Sequence, residues 1–309
     1  MKALEQCLPS IMNMSRAPRT VKKYDSAFCR WSKWAERQKV PHLPADPFHV
    51  ALYLVYIMQD AKTVSPLVSA VCALSWKHDI QGYSDPCSNG VVKNVMQAAK
   101  RSLARPKDRK LPLSKPLLER LHRELSSSSL QDLQTLTLIV LGYAGMMRWD
   151  DLANIFVDEV AIKSSHMAVF LQVRKNDQLR QGSWVFISRW ESDLCPVSLV
   201  EHLIEKGGHQ GHVKLFGRIA RVKGRTAIKH SLSYSRAREL VREALKRIGV
   251  NPDEYGLHSL RSGGASTAAA AGVPDRLIQR QGGWRSDAMK AYIQESLPNL
   301  LQVSQVLAV

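Results

Sequence analysis

Apolar positions recur every three to four residues through the first hundred positions of the chain. In "TVKKYDSAFCRWSKWAERQ", which begins at Thr20, the residues Val21, Tyr24, Phe28 and Trp31 fall at helical spacing. Lys22, Lys23, Arg30, Lys33 and Arg37 lie largely elsewhere on the wheel, which predicts an amphipathic helix. "PFHVALYLVYIMQDA" and "VSPLVSAVCALSWKHDI" predict two more helices, one opened by Pro47 and one starting near Pro66, and "NGVVKNVMQAAKRSL" predicts a fourth. Residues 1–100 are therefore expected to form a compact four-helix domain. Residues 101–113 are expected to be an exposed basic linker: in "KRSLARPKDRKLPLS", residues 100–114, six Lys or Arg face one Asp, and two prolines interrupt any helix.

A second domain is expected over 114–309. "KPLLERLHRELS" and "LQDLQTLTLIVLGYAGMMRWDDLANI" predict two helices separated by a serine-rich turn. The period then changes, because "HMAVFLQVRKNDQLRQGSWVFISR" alternates apolar and polar positions on both sides of a polar knot. That predicts a β-hairpin with Lys175 and Asn176 near its tip. Helices resume at "CPVSLVEHLIEKGG" and "SYSRARELVREALKRIGV", and after His258 the chain is expected to stay helical to its end, punctuated at Gly272-Val273-Pro274 and Gly282-Gly283. The expected fold is mainly α with a small antiparallel β-sheet.

Charge adds a partner to this picture. The 309 residues carry 44 Lys+Arg against 27 Asp+Glu, a formal net charge of +17, and the pI is about 9.8. Such an excess points to a polyanion, and with no apolar run of membrane-spanning or signal-peptide length it points to nucleic acid more than to lipid. Lys22, Lys23, Arg30 and Lys33, the linker residues Lys100, Arg101, Arg105 and Lys107, and the acid-free "GRIARVKGRTAIKHS" with Arg218, Arg221, Lys223 and Arg225 are candidate phosphate contacts. Each cluster taken singly is equally a solvated face. Five scattered cysteines without CxxC spacing fit neither a disulfide framework nor a zinc site and suggest a reducing compartment. No GxxxxGK[ST] loop, HExxH or two-metal acidic cluster stands out, so no cofactor and no metal are expected.

Three stretches carry candidate chemistry. In "GLHSLRSGGAS", residues 256–266, His258 and Arg261 are three apart and share a helix face, and the small residues that follow let that helix approach a backbone or a ligand closely. In "GYAGMMRWDDL" an apolar run ends on Arg148, with Asp151 placed to orient it; a structural Arg–Asp pair fits the same residues. In "GGWRSDAMKAYIQES", Ser286 is a plausible N-cap, and Met289 and Tyr292 share a face downstream of Trp284. Tyrosine has an ordinary pKa of about 10, so a nucleophilic one needs a site that stabilises charge on the phosphate it attacks. A core tyrosine, or a helix-turn-helix over "VPDRLIQRQGGWRSDAMKAY", are the other readings of this stretch.

Taken together, Arg in a "GxxRxxDL" context, a hairpin-tip Lys, HxxR, Gly-Trp, and Tyr eight residues after the Trp resemble the tyrosine recombinase (phage integrase) family over residues 112–296. "RKNDQ" with "HSLRSGGAS" is most similar to the branch carried by DIRS-like eukaryotic mobile elements. The resemblance implies a two-domain clamp on double-stranded DNA, with a helical core-binding domain ahead of the catalytic one. Arg148 and Arg261 would clamp the scissile phosphate, Lys175 would protonate the leaving 5′-oxygen, and His258 would assist as acid or base. Trp284 would stand where many members have a second histidine, Asp151 would buttress the site in place of the usual Glu, and Tyr292 would form a 3′-phosphotyrosyl link without metal or ATP. It also implies assembly as a dimer or tetramer on DNA, through which the apolar "LPNLLQVSQVLAV" would dock on a neighbouring subunit or else pack at home. Nuclear work is implied in a eukaryote, cytoplasmic work otherwise, and no secretion. The other readings are a catalytically silent DNA-binding protein on this fold and type IB topoisomerase-like relaxation.

Overall fold

The computed structural model describes residues 1–106, 109–125, 129–174, 177, 180–222, 225–295 and 297–307. The chain divides into two compact units, Met1–Asp108 and Arg109–Val309.

Among the described residues the first unit holds five α-helices: α1 (Lys2–Asn13), α2 (Pro18–Arg37), α3 (Pro47–Asp60), α4 (Ser65–Asp79) and α5 (Gly90–Ser102). The last four match the periodic stretches. Asp46 caps α3 by accepting from the Phe48 amide at 2.8 Å, and Asn89 caps α5 from Val91 at 2.9 Å. Their apolar faces meet around Trp31, Trp34, Tyr53, Leu54, Leu67 and Leu74. The fifth helix, α1, lies outside the sequence expectation. Its apolar positions Leu4, Leu8 and Ile11 stay exposed, so packing gave it no partner to reveal it.

In the second unit, α6 (Lys115–Leu125) and α7 (Leu130–Ala144) lead to the one-turn α8 (Trp149–Leu152). A three-stranded antiparallel sheet follows, β1 (Val160–Ile162), β2 (His166–Leu171) and β3 (Ser183–Ser188), with β2 central. The predicted hairpin is β2–β3, pairing Phe170 with Trp184 and Val169 with Val185. Then come α9 (Pro196–Gly207), a second hairpin of β4 (Gly217–Val222) and β5 (Arg225–Ser231), α10 (Tyr234–Arg247), α11 (Leu257–Ala270), α12 (Asp275–Gly282) and α13 (Leu297–Val306). The basic stretch "GRIARVKGRTAIKHS" is thus a β-hairpin, its strands hidden in sequence because Arg218, Arg221, Arg225 and Lys229 break any two-residue apolar alternation. α7 is apolar on nearly every side and runs through the core, flanked by α6, α9, α10 and α11.

Three expectations change. The apolar run into Arg148 is not one helix: α7 stops at Gly145, and Met146 takes a left-handed φ of 48° before α8 begins. The linker is shorter than 101–113. Arg101 and Ser102 finish α5, while the Leu111 amide donates to the Glu254 carbonyl at 2.8 Å and the Leu113 amide to Ser259 at 2.9 Å, so the end of the stretch belongs to the second unit. A helix-turn-helix over 273–292 is also excluded, because α12 is followed only by a 3-10 turn over Asp287–Ala291, too short to serve as a recognition helix.

The small residues of α11 serve a close backbone approach. A Cβ on Gly264 would stand 2.1 Å from the Tyr143 carbonyl oxygen, and one on Gly263 would stand 2.2 Å from that of Leu113. Gly264→Ala is therefore expected to lower the stability of the second unit by about 1–3 kcal/mol in urea unfolding, as overpacking against backbone does. A change below about 0.5 kcal/mol would show that α11 can simply shift away from α7.

Candidate active site

The break after α7 is what delivers Arg148. The Met147 amide donates back to Gly142, and Trp149 and Leu152, both buried, pin the new turn into the core. Arg148 occupies the N-cap of α8, and its backbone amide donates to Asp151 Oδ2 at 2.9 Å. Asp151 is 1% exposed and reaches a second partner, Arg174 Nη2, at 3.3 Å. The orienting carboxylate therefore acts on the Arg148 turn through the backbone.

Arg261 lies on the first half of α11 and is fully buried. Its Nη1 donates to the Gly282 carbonyl at 2.7 Å and also to the Met146 carbonyl, which ties α11 to the α12 terminus and to the turn before Arg148. Its guanidinium carbon stands 3.5 Å from the centre of the Trp284 ring and 5.2 Å from that of Tyr292. The two rings meet edge to face at 5.3 Å. Burial, and next the charge of Arg148, push the Arg261 guanidinium down to about 9, so it keeps its proton at neutral pH.

Tyr292 is half-buried just past the 3-10 turn whose N-cap is Ser286. The spacing that predicted an α-helix there is instead tightened into this 3-10 turn, with Met289 buried as its anchor. Ser266 of α11 steadies the segment by donating to the Tyr292 carbonyl at 3.4 Å and accepting from the Gln294 amide at 2.9 Å. The structure thus brings together Arg148, Asp151, Arg261, Trp284 and Tyr292. His258 is exposed on the first turn of α11, one turn before Arg261.

One site member was missed. Arg174, just beyond β2, is 6% exposed and donates from Nη2 to the Gly282 carbonyl at 2.9 Å as well as to Asp151. Lys175, the expected hairpin lysine, lies outside the described residues.

Five buried nitrogens at this place have no hydrogen-bond partner among the described residues: Arg148 Nη1, Arg174 Nε, Arg261 Nε and Nη2, and Trp284 Nε1. A buried donor left unsatisfied costs about 1–3 kcal/mol, so five together signal a site organised for an acceptor rather than for stability. Among the described residues, three guanidinium groups against the carboxylate of Asp151 set the sign of that acceptor as anionic, and planar forks suit the tetrahedral oxygens of a phosphate.

Of the candidate phosphate contacts, Lys22, Lys23, Arg30 and Lys33 are exposed on α2, opposite buried Trp31 and Trp34. Lys100, Arg101, Arg105 and Arg218 are exposed as well. Arg221 and Arg225 fall in β4 and β5, but their side chains, together with Lys107 and Lys223, lie outside the described residues. On α13, Leu300 and Leu301 are exposed.

This arrangement, a buried arginine stacked beside a tyrosine, with a second arginine delivered by a turn fixed to Asp151, on a helical domain with a three-stranded sheet, is the architecture of a tyrosine recombinase. The sequence profile of the Phage integrase family matches residues 113–296, and the chain belongs to that family. It is 27% identical over 282 residues to the Integrase/recombinase xerD homolog of Selenomonas ruminantium, covering 90% of this chain and 82% of that one. It is 23% identical over 271 residues to Recombinase cre of Escherichia phage P1, covering 83% and 78%. Among solved structures, XerH site-specific recombinase bound to a palindromic difH substrate superposes with a TM-score of 0.62 at 16% identity, over 93% of this chain and 78% of that one. A lambda integrase dimer bound to a COC′ core site superposes with a TM-score of 0.57 at 16% identity, over 94% of each chain. No helix among the described residues is long and apolar enough to cross a membrane.

Proposed function

We propose that this protein is a DNA strand-exchange enzyme that works through a covalent 3′-phosphotyrosyl intermediate, with no metal ion and no ATP. The observation that supports this reading most is the placement of Arg261, fully buried, stacked on Trp284 and 5.2 Å from the Tyr292 ring, with two guanidinium nitrogens unpartnered.

In this reading Arg148 and Arg261 hold the non-bridging oxygens of the scissile phosphate and neutralise the charge that builds as the phosphorus becomes five-coordinate. The Tyr292 oxygen attacks phosphorus and its proton passes to His258. The P–O5′ bond breaks and the leaving oxygen takes a proton from Lys175. The diester count is conserved, so a 5′-hydroxyl from a second duplex reverses the step and seals the exchanged strand, with no energy source consumed. Trp284 shields the buried face of Arg261, and the indole nitrogen is one more donor for the phosphate. The exposed bases of α2, residues 100–105 and Arg218 grip the DNA backbone away from the reacting bond. Active assemblies are dimers or tetramers on DNA, with α13 docking on a neighbouring subunit. "RKNDQ" and "HSLRSGGAS" support the DIRS-like mobile-element branch, whose enzyme works in the nucleus of a eukaryotic host.

The test uses two differently labelled duplexes carrying a site selected by binding from a randomised library, incubated with the protein in EDTA without nucleotide. Recombinant joints containing both labels are expected. Relaxation of supercoils without joints would mean a topoisomerase-like activity, and binding with neither would mean a silent DNA-binding protein; each contradicts strand exchange.

A further inference from the structure

One bridging side chain in the site is given no part by the reaction above. Arg174 leaves the end of β2 and turns inward. Its Nη2 bridges two acceptors that belong to different elements, Asp151 Oδ2 at 3.3 Å on α8 and the Gly282 carbonyl at 2.9 Å at the end of α12. Both acceptors are shared with the phosphate clamp. Asp151 Oδ2 also receives the Arg148 amide, and the Gly282 carbonyl also receives Arg261 Nη1. The space for this guanidinium is supplied by Gly283, which sits at a left-handed φ of +65° and whose missing Cβ would stand 2.4 Å from Arg174 Nη1.

We propose that Arg174 is a positioning residue for the phosphate clamp, setting Arg148 through Asp151 and Arg261 through the Gly282 carbonyl. Its Nη2 joins the segment after β2, the α7–α8 turn and the α12 terminus into one unit. Its charge also offsets that of Asp151, leaving the carboxylate less free to draw the clamp arginines away from an incoming phosphate. A lysine at this position brings the charge on a shorter, non-planar head that stops short of where Nη2 sits, and an alanine at Gly283 evicts the guanidinium without removing it.

The test measures single-turnover cleavage of a suicide substrate at saturating DNA, with DNA affinity and thermal midpoint measured in parallel. Arg174→Ala is expected to slow cleavage about 10²-fold, the scale on which a misplaced group costs rate, while DNA affinity stays within about threefold. Added methylguanidinium restores part of the rate, and Arg174→Lys restores little. Gly283→Ala slows cleavage similarly, and the double variant is no slower than the slower single one, because both remove the same interaction. Arg189, which holds Glu201 with two bonds of 2.7 and 2.9 Å on another face, is the control: Arg189→Ala lowers the thermal midpoint and leaves the cleavage rate unchanged.

Cleavage by Arg174→Ala within about threefold of wild type would overturn the inference. So would multiplicative losses in the double variant, or rate and thermal midpoint falling together in Arg189→Ala as in Arg174→Ala. The inference rests on tyrosyl transfer as proposed above: a wild-type protein that forms no adduct overturns both, whereas a wild-type adduct with an unaffected Arg174→Ala overturns this one alone.

Discussion

Tyr292→Phe is expected to abolish the proposed covalent protein–DNA adduct and to leave DNA affinity within about twofold of wild type, a loss of cleavage on the order of 10⁴-fold or more if the proposed nucleophile has no substitute. The prediction is clean because of how the ring is held. Its edge-to-face contact with Trp284 at 5.3 Å and its place beside Arg261 are made by carbon atoms, and its backbone is fixed by Ser266 and by a 2.7 Å bond to the Met289 carbonyl. Phenylalanine keeps all of these and loses only the oxygen. A denaturing gel of protein incubated with a suicide substrate checks it. An adduct in the Phe variant at even a tenth of the wild-type rate would move the nucleophile elsewhere.

Arg261→Ala is the second large effect, expected to reduce single-turnover cleavage at least 10²–10³-fold, about the cost of removing a preorganised donor from a charge-developing site. It also strips the Met146 and Gly282 carbonyls of a shared donor, so a lower thermal midpoint accompanies the kinetic loss. Arg261→Lys separates the two. An ammonium in the same hole can hold the carbonyls that Nη1 holds but presents no further fork to a phosphate and no plane to Trp284, so it regains stability more than rate. The pH dependence follows from the same burial. With its guanidinium pushed down to about 9, the charged form is complete at pH 7 and declines as pH rises through that value. Cleavage at subsaturating DNA is thus expected to lose a limb above about pH 9 that is absent in Arg261→Ala. A lysine variant as active as wild type would show that charge alone, and not the fork, does the clamping.

The helices α2 to α5 were legible because each buries one face on a shared core, so their period survives in the sequence; α1, whose apolar face is exposed, left no packing signal to weigh. The β2–β3 hairpin was legible from an alternation only loosely kept, with Met167, Val169 and Leu171 inward and Ala168 buried as well. That same alternation hid Arg174. Continued past Leu171 it points Val173 inward and Arg174 outward, but the strand ends at Leu171 and the phase is lost, leaving Val173 46% exposed and Arg174 buried. Arg148 was found by its residue type yet placed on the wrong local structure, because only the left-handed Met146 reveals the break, and nothing about a methionine predicts it. The Gly282-Gly283 pair was visible as punctuation. Its role as a shared acceptor and as room for a guanidinium depends on contacts 108 residues apart in the chain, which no local pattern encodes.

The central claim is that Tyr292 becomes joined to a DNA 3′-phosphate in a site whose charge comes from arginines. The most direct measurement is to trap the adduct on a suicide substrate in EDTA, digest protein and DNA, and locate the phosphate by mass spectrometry. The account predicts a single modified peptide containing Tyr292 esterified to a 3′-terminal nucleotide, formed at the same rate with or without chelator. A phosphate on another residue, a 5′ linkage, or an adduct that forms only when divalent metal is restored would contradict it.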